Sequence, residues 1–372
     1  MTRREMLKYC AAAGGAVLVS TNGPLPRAFA DAPQSPPTMP FRDPLPVPAA
    51  PQASFTRFAD LNLPAREITE FVDPHQEKTN YYTILARERS VFVHQDFQDR
   101  GLATSIWGYV DGQSPYNSNA PAPGPTFMTR MNTDPLAGNI VRFINGLSPG
   151  EPGFGTPHLT THLHSGHHPS RSDGFPGKTF RLDGTVFDPV IQPGGGHYDY
   201  TYPLLDTGFF SEGAGDKTER PSTMWYHDHI LDFTAPNVYR GLAAFFLVYD
   251  ELDTGDETTG LHLPSGPHDV PLLIQDKMFA HDASLVFDPF NTDGFLGDKY
   301  LVNGKIQPFF EVQRRRYRFR FLNGSVARFY QMFLTNAAGM TFPMALVATE
   351  GGLLSYTQAP IQSFLDLPGG AF

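Results

Sequence analysis

Two histidine pairs with His-x-His spacing are the residues of this sequence best suited to metal chemistry. His162 and His164 form the first pair, and His227 and His229 form the second. On a β-strand, residues i and i+2 point to the same face with Cα atoms roughly 6.5–7 Å apart, so each pair can direct two imidazoles at one surface. A helical zinc site would use histidines at i and i+4 beside a glutamate, and neither pair has that form. The spacing predicts strand-borne ligands for a site with more than one metal ion.

The segments around both pairs belong to a longer ordered pattern. The first pair lies in THLHSGH (161–167), followed by Ser172-Asp173-Gly174, and the second lies in WYHDH (225–229), followed by NVYRGLA (237–243). Other segments occur in order along the chain: FRDPLPVP (41–48), PGPTF (123–127), VRFIN (141–145), LVNGK (301–305) and YRFRFLN (317–323). In this combination the chain resembles the multicopper oxidases, in particular the spore-coat laccase and bilirubin oxidase branch. The resemblance extends roughly from Pro40 to Leu354.

The resemblance implies a role for each of these histidines. His162 would bind a type 2 copper, and His164, His227 and His229 would bind a coupled type 3 pair. Asp173 matches an acidic residue close to the type 2 copper and its water, where a carboxylate can orient ligands and move protons. In the family these coppers form a trinuclear cluster between the first and third domains, where O2 is reduced to water with electrons from a phenolic or related small reducing substrate.

The sequence carries only half of the ligands that this resemblance requires. No later His-x-x-His-x-His or His-Cys-His segment follows, and the only cysteine is Cys10. A type 1 blue-copper site needs a cysteine thiolate with two histidines, so none is predicted in this chain. We expect the remaining ligands to come from a missing C-terminal cupredoxin domain, encoded as a continuation or as a second polypeptide.

Composition and pattern predict an all-β protein. Thirty-five glycines, thirty-five prolines and 13% aromatic residues favour short strands and turns over long helices. The resemblance implies cupredoxin-like Greek-key β-sandwich domains, one complete and a second truncated. Segments with alternating or β-branched residues are predicted as strands of the first sandwich: 81–84, 90–97, 140–145, 158–164, 197–202, 222–227 and 243–249.

The predicted domain organisation follows changes in composition along the chain. The divisions are a signal peptide (1–30), a Pro-rich arm on the domain surface (31–52), a first cupredoxin-like domain (53–250), an acidic linker with little to bury (251–269) and an incomplete second domain (270–372). In the second domain, aromatic residues alternate with arginines between residues 316 and 321. We expect the aromatic side chains in the core and the arginines in solvent.

The first thirty residues carry the features of a twin-arginine export signal. Arg3 and Arg4 precede an apolar run (11–19) and an A-x-A cleavage site at Ala28 to Ala30. The run is too short to span a bilayer, so no membrane span is predicted. These features predict a periplasmic or secreted protein. The formal net charge of −10 argues against nucleic acid or an anionic membrane as a partner.

The other histidines have weaker interpretations. His262, His268 and His281 are unpaired at i+2 and are interpreted as surface residues. His158, His167 and His168 flank the first pair, where they could help to orient the site or simply face solvent.

Three functions are compatible with these observations. The first is the N-terminal part of a laccase-like multicopper oxidase. The second is a non-catalytic periplasmic copper-binding or interaction protein derived from a truncated oxidase. The third is an enzyme that completes its site by oligomer symmetry, as small two-domain relatives do. Those relatives keep the cysteine-containing segment that this chain lacks, so the first function is preferred.

Overall fold

The computed structural model describes residues 35–61, 63, 68, 72, 78–113, 123–131, 138–148, 153–180, 196–206, 215–291, 294–350 and 352–361. The predicted signal peptide and Cys10 lie outside these residues. Up to residue 250 the elements are β1 (Asn80–Val91), α1 (Gln95–Gln98), β2 (Thr104–Asp111), β3 (Phe127–Arg130), β4 (Asn139–Gly146), β5 (Thr161–His164), β6 (His197–Tyr202), β7 (Thr223–Asp228), α2 (Thr234–Arg240) and β8 (Ala243–Tyr249). They include 3₁₀ turns at Ser170–Ser172 and Lys217–Glu219. No described helix is long and apolar enough to cross a membrane.

Strands β1 to β8 form two four-stranded sheets. The first has the order β2-β1-β4-β6 and the second has the order β3-β8-β7-β5. Side chains from both sheets share one aromatic core, which includes Trp107, Tyr109, Phe143, Tyr226 and Phe246. These strands are therefore a β-sandwich, here called the N-terminal sandwich, and its packed interior fixes the positions of β5 and β7.

The chain after residue 265 forms a second set of strands. They are β9 (Asp269–Phe279), β10 (Leu285–Val286), β11 (Lys299–Val302), β12 (Lys305–Ile306), β13 (Arg318–Asn323), β14 (Leu334–Thr335), β15 (Thr341–Phe342), β16 (Met344–Thr349) and β17 (Gly352–Ile361), after a 3₁₀ turn at Gly266–His268. Strands β9 to β13 make one five-stranded sheet, whereas β14 with β15 and β16 with β17 are separate antiparallel pairs. With few helices and many strands, the chain is all-β, as the sequence predicts.

The strand predictions are confirmed at most positions. The segments 197–202 and 243–249 coincide with β6 and β8, and 140–145 lies within β4. The predicted strand at 90–97 is wrong, because β1 ends at Val91 and α1 begins at Gln95. The cause is a helix cap: Nδ1 of His94 accepts a hydrogen bond of 2.9 Å from the backbone N–H of Asp96.

The arginines of β13 contradict the sequence prediction. Arg318 and Arg320 are buried, whereas Phe319 is 39% exposed. The guanidinium of Arg320 lies 2.7 Å from the Asp269 carboxylate, and that of Arg318 lies 2.6 Å from Asp253. The predicted alternation of aromatic residues and arginines is confirmed, but the arginines face inward and Phe319 faces outward. The arginines can be buried because carboxylates inside the protein compensate their charges. Asp253 also shows that the segment predicted as a linker does bury a side chain.

Residues 35–52, hereafter the arm, connect the two sets of strands. The backbone N–H of Leu45 donates to Phe309 O (2.7 Å), beyond β12, and Ala49 O accepts from Thr126 N–H (3.0 Å), next to β3. The prediction of an arm on one domain surface is therefore incomplete. The arm joins the N-terminal sandwich to the sheet that follows it.

Lys277 of β9 is a buried amine at the contact between β9 and α2. Its Nζ donates to the backbone carbonyl of Tyr239 and lies 4.5 Å from the centroid of the Tyr239 ring. Burial lowers the pKa of Lys277 to about 7, although the charge of Asp276 opposes this shift.

Replacing Lys277 by methionine is expected to flatten the pH dependence of stability between pH 7 and 10.5. In that range an unfolded chain keeps the lysine proton and the native protein releases it, so wild-type stability rises with pH, by at most about 1.4 kcal/mol per unit. Below pH 7 both states bind the proton and this slope vanishes. Urea unfolding at several pH values checks this, with the exposed Lys217→Met as control. Equal slopes for wild type and Lys277→Met would contradict it.

Candidate metal centre

The two histidine pairs lie on neighbouring antiparallel strands. β5 pairs with β7 so that His162 is opposite His227, and His164 is opposite Trp225. Directly opposed residues of an antiparallel pair point to the same face, and residues at i+2 do so as well. The pairing of β5 with β7 therefore brings both histidine pairs to one surface. His229 follows the last residue of β7.

The four imidazoles form one cluster with His162 at its centre. The centroid of the His162 ring lies 5.5 Å from that of His164, 5.5 Å from that of His227 and 5.0 Å from that of His229. One ring nitrogen from each of His162, His164 and His227 lies within 4.8 Å of the other two. Distances of this size are compatible with imidazoles that share metal ions.

Hydrogen bonds on the outer side of the rings determine which nitrogens face the cluster. Nδ1 of His162 donates to the backbone carbonyl of Asp173, and Nδ1 of His227 donates to that of Asp228 (2.8 Å). Nε2 is then the basic nitrogen of each ring. Nε2 of His227 and Nδ1 of His229 are buried without a hydrogen-bond partner. Buried nitrogens without partners are costly in a folded protein, and a metal ion would satisfy them.

Burial keeps two rings of the cluster uncharged. Burial lowers the pKa of His227 to about 3, and burial also lowers the pKa of His162, where the contact with Asp173 opposes the shift. Both rings are therefore uncharged at neutral pH and can offer a lone pair to a metal.

An indole ring fixes the orientation of two of the histidines. The Trp225 ring stacks on His227, with centroids 3.9 Å apart and an interplanar angle of 22°. Its centroid also lies 5.6 Å from that of His164. This packing restricts both rings, so the cluster needs little rearrangement to bind a metal.

Asp228, the residue between His227 and His229, has a buried carboxylate that holds the surrounding backbone in place. It is not among the site residues predicted from the sequence. Asp228 accepts hydrogen bonds from Thr160 N–H (3.1 Å), Ile230 N–H (3.3 Å) and Asn237 Nδ2 (2.9 Å). Burial raises the pKa of Asp228 to about 7. In the sequence, only the position of Asp228 between two histidines indicates a role at the site. The fold is needed to show that its side chain points inward.

Replacing Asn237 by alanine is expected to destabilise the protein by about 1–3 kcal/mol. The change removes a donor from Asp228 and leaves the backbone N–H of Thr156, which donates to Asn237 Oδ1 (3.0 Å), without its acceptor. Chemical unfolding of the metal-free protein measures the loss. The matched control is Asn323→Ala, an exposed amide whose partners water can replace. Similar losses for the two variants would contradict this role.

Asp173 contacts His162 mainly through its backbone. Its carboxylate Oδ1 lies 3.4 Å from Nδ1 of His162, and its side chain is 52% exposed. Gly174 follows with φ +73°, and a Cβ there would collide with the Thr161 carbonyl, so this loop lies directly against β5. Asp173 is thus both next to a ring of the cluster and open to solvent.

Five of the other histidines fall into two groups. His168 is near the cluster, where Nε2 donates to Leu163 O (3.3 Å), and His158 lies 3.4 Å from Thr179 Oγ1. His167 lines a cleft beside Ser165. His262 bonds to the backbone of its own loop and His268 packs against Tyr317, so neither contributes to the cluster.

Two curated proteins that match most of this chain are a laccase and a bilirubin oxidase. The chain is 31% identical over 338 residues to a laccase of Bacillus stratosphericus, covering 83% of this chain and 58% of that protein. It is 30% identical over 320 residues to a bilirubin oxidase of Albifimbria verrucaria, covering 85% and 44%. The chain thus spans about half the length of the curated relatives it matches. No family model matches the sequence.

The chain is also similar to a solved multicopper oxidase structure and, over about a third of its length, to a cell division protein. The crystal structure of the McoA multicopper oxidase from Aquifex aeolicus matches with a TM-score of 0.57 and 25% identity, over 86% of this chain and 54% of that one. A shorter match, 38% identical over 135 residues, relates the chain to the cell division protein FtsP of Dickeya dadantii, covering 36% of this chain and 27% of that protein.

Proposed function

The chain belongs to the multicopper oxidase family, and we propose that it supplies half of the ligands of an oxygen-reducing copper cluster. The observation that carries the proposal is the convergence of four imidazoles, two of which have a buried nitrogen without a partner. Family membership implies copper, and imidazole nitrogens are suitable ligands for it. We assign His162 to a type 2 copper, and His164, His227 and His229 to a type 3 pair.

The residues around the cluster would hold the ligands and handle protons. Copper, when bound, supplies the one-electron steps by which O2 is reduced. Asp173 fixes the tautomer of His162 through its backbone carbonyl, and its half-exposed carboxylate is placed to carry protons between solvent and the site. We propose a phenolic or related small molecule as the reducing substrate, because several relatives are named laccases or bilirubin oxidases.

The surface next to the histidines is suited to contact a further protein domain. Phe175, Leu231 and Phe233 follow Asp173 and His229 closely along the chain, and their side chains are exposed. Exposed apolar side chains beside a polar site are typical of an interface. We propose that a cupredoxin domain covers this surface and supplies the other ligands together with the cysteine-ligated type 1 copper.

Two further expectations from the sequence belong to this proposal. The first is the division of the chain into domains at 53–250 and 270–372. The second is twin-arginine export of the protein to the periplasm or out of the cell.

Oxygen consumption tests this function. The copper-loaded chain is assayed with a methoxyphenol, alone and together with a separately produced cupredoxin polypeptide that carries the His-x-x-His-x-His and His-Cys-His segments. We expect oxygen uptake only from the combination, and loss of uptake when His162 is replaced by alanine. Turnover by the chain alone, or no turnover by a copper-loaded complex, would contradict the proposal.

The similarity to FtsP supports a second candidate function. Because that relative is named for cell division and not for an oxidase reaction, a non-catalytic copper-binding or interaction role is compatible with the same fold. In that case the chain would retain copper in the assay above, but no added cupredoxin polypeptide would produce oxygen uptake.

A further inference from the structure

Arg89 of β1 carries a buried guanidinium that makes no hydrogen bond or ion pair within the part of the chain that the structure describes. Only 8% of its surface is exposed, and its Nη2 is buried without a partner. The buried Arg142, by contrast, donates to Asp199 over 2.8 Å. Because a buried charge is normally paired with an opposite charge, Arg89 indicates an anion that comes from outside these residues.

Arg89 shares one face of β1 with Arg87. The two residues are separated by one position, and alternate residues of a strand point to the same side. Ala86 and Trp107 belong to the aromatic core of the N-terminal sandwich, so they mark the inner face of this sheet. The two arginines are therefore on its outer face, where Arg87 is partly exposed.

The sheet around the two arginines supplies no negative charge. Arg89 is opposite Ile106 of β2, and Arg87 is opposite Gly108 of β2 and Gly146 of β4. Directly opposed residues point to the same face, so the nearest neighbours of both guanidinium groups in the sheet are apolar or lack a side chain. The counter-charge of Arg89 cannot come from these strand positions.

Glu88, between the two arginines, carries the carboxylate that is closest in sequence. It points to the opposite face of β1, where its Oε1 accepts a hydrogen bond from Ser105 Oγ. Burial and the charge of Arg87 together lower the pKa of Arg89 to about 10, as expected for a cation that no carboxylate compensates. At neutral pH Arg89 still carries its charge.

Gly108 determines where the guanidinium of Arg89 lies. A Cβ at Gly108 would be 3.7 Å from both Cδ and Nη1 of Arg89, so the side chain lies across the backbone of β2. This position is directly opposite Arg87. Two neighbouring guanidinium groups offer several N–H donors in a planar, forked arrangement, which matches the oxygens of phosphate and similar anions.

We propose that Arg89 and Arg87 bind a small tetrahedral oxyanion, such as inorganic phosphate, on the outer face of the first sheet. The bound anion compensates the buried charge and donates none of its own hydrogen bonds to the core. The histidine cluster lies on β5 and β7 of the other sheet, so the anion site is independent of the copper assignment.

The test measures phosphate binding to the full chain by isothermal titration, and urea unfolding in phosphate or in sodium chloride of equal ionic strength. Wild type is expected to be more stable in phosphate, because an anion that binds only the native state stabilises it. Arg89→Met is expected to bind phosphate at least about 10-fold more weakly and to lose this stabilisation. Arg316→Met removes the same charge at an exposed position and should respond to phosphate as wild type does.

Two further measurements keep the proposal open to refutation. Without phosphate, Arg89→Met is expected to be at least as stable as wild type, because it removes a buried charge that has no partner. Arg89→Lys keeps the charge but not the fork, so its phosphate affinity should lie between those of wild type and Arg89→Met. The proposal is wrong if phosphate stabilises wild type no more than chloride does, or if it stabilises Arg89→Met as much as wild type.

Discussion

Replacement of His227 by alanine is expected to weaken Cu(II) binding at least about 100-fold. Loss of a group that only supports a ligand typically costs 10–100-fold in metal affinity, so loss of a ligand should cost more. His227 is the most consequential choice, because its Nε2 is buried without a partner and belongs to the group of three converging nitrogens. Isothermal titration with Cu(II) or competition with a chelator measures the change.

The control for this prediction is another histidine of the same chain. His281 is exposed and follows β9, and it belongs to neither histidine pair. His281→Ala is expected to bind copper as wild type does, whereas adventitious copper on surface histidines would respond to both variants alike. Because His227 also packs against Trp225, the metal-free variant must first show a wild-type circular dichroism spectrum. Tight binding by a folded His227→Ala variant would exclude this cluster as the copper site.

Replacement of Arg320 by methionine is expected to destabilise the protein by about 3–5 kcal/mol. Arg320 and Arg318 share two buried carboxylates, Asp253 and Asp269, and all four side chains are almost inaccessible to solvent. Removing one partner leaves a buried charge without full compensation, which is more costly than losing the pair itself. Urea unfolding followed by tryptophan fluorescence measures the free energy. Arg316→Met, at an exposed position before β13, is the matched control and should change stability little.

A second substitution determines whether charge is the cause. Asp269→Asn, introduced together with Arg320→Met, removes the carboxylate that the arginine contacted over 2.7 Å and 2.8 Å. The double variant should recover part of the loss, since less charge is then left uncompensated. If the double variant is less stable than Arg320→Met by the full cost of Asp269→Asn alone, the two residues act independently and the explanation is wrong.

The sequence was most informative where spacing alone determines geometry. Two His-x-His pairs on strands must each present both rings to one face, and the structure confirms that all four rings meet. That the two strands are neighbours followed from the resemblance to a family and not from the spacing. The roles of His162, His164, His227, His229 and Asp173 as copper ligands and proton carrier remain predictions.

The sequence was least informative where a pattern has two equivalent solutions. Alternation between residues 316 and 321 indicates two faces of a strand but not which face is inside, and hydrophobicity gave the wrong answer because the paired carboxylates are distant in sequence. The contact between Glu350 and His164 is unpredictable for the same reason. No local pattern specifies a partner 186 residues away, and only the tertiary fold brings Glu350 and His164 together.

The arm is expected to dock last when the protein folds. Its bond from Ser35 N–H to Asp298 joins residues 263 positions apart, so it closes a very long loop. Such contacts form late, after both sets of strands have assembled, and they are expected to open first. The amides of Phe41 and Leu45 should therefore exchange with deuterium sooner than those of β8. A nick near residue 52 would therefore leave each sheet intact and separate the arm covalently from the N-terminal sandwich, so that noncovalent contacts such as those to Thr126 and Phe309 alone would hold it.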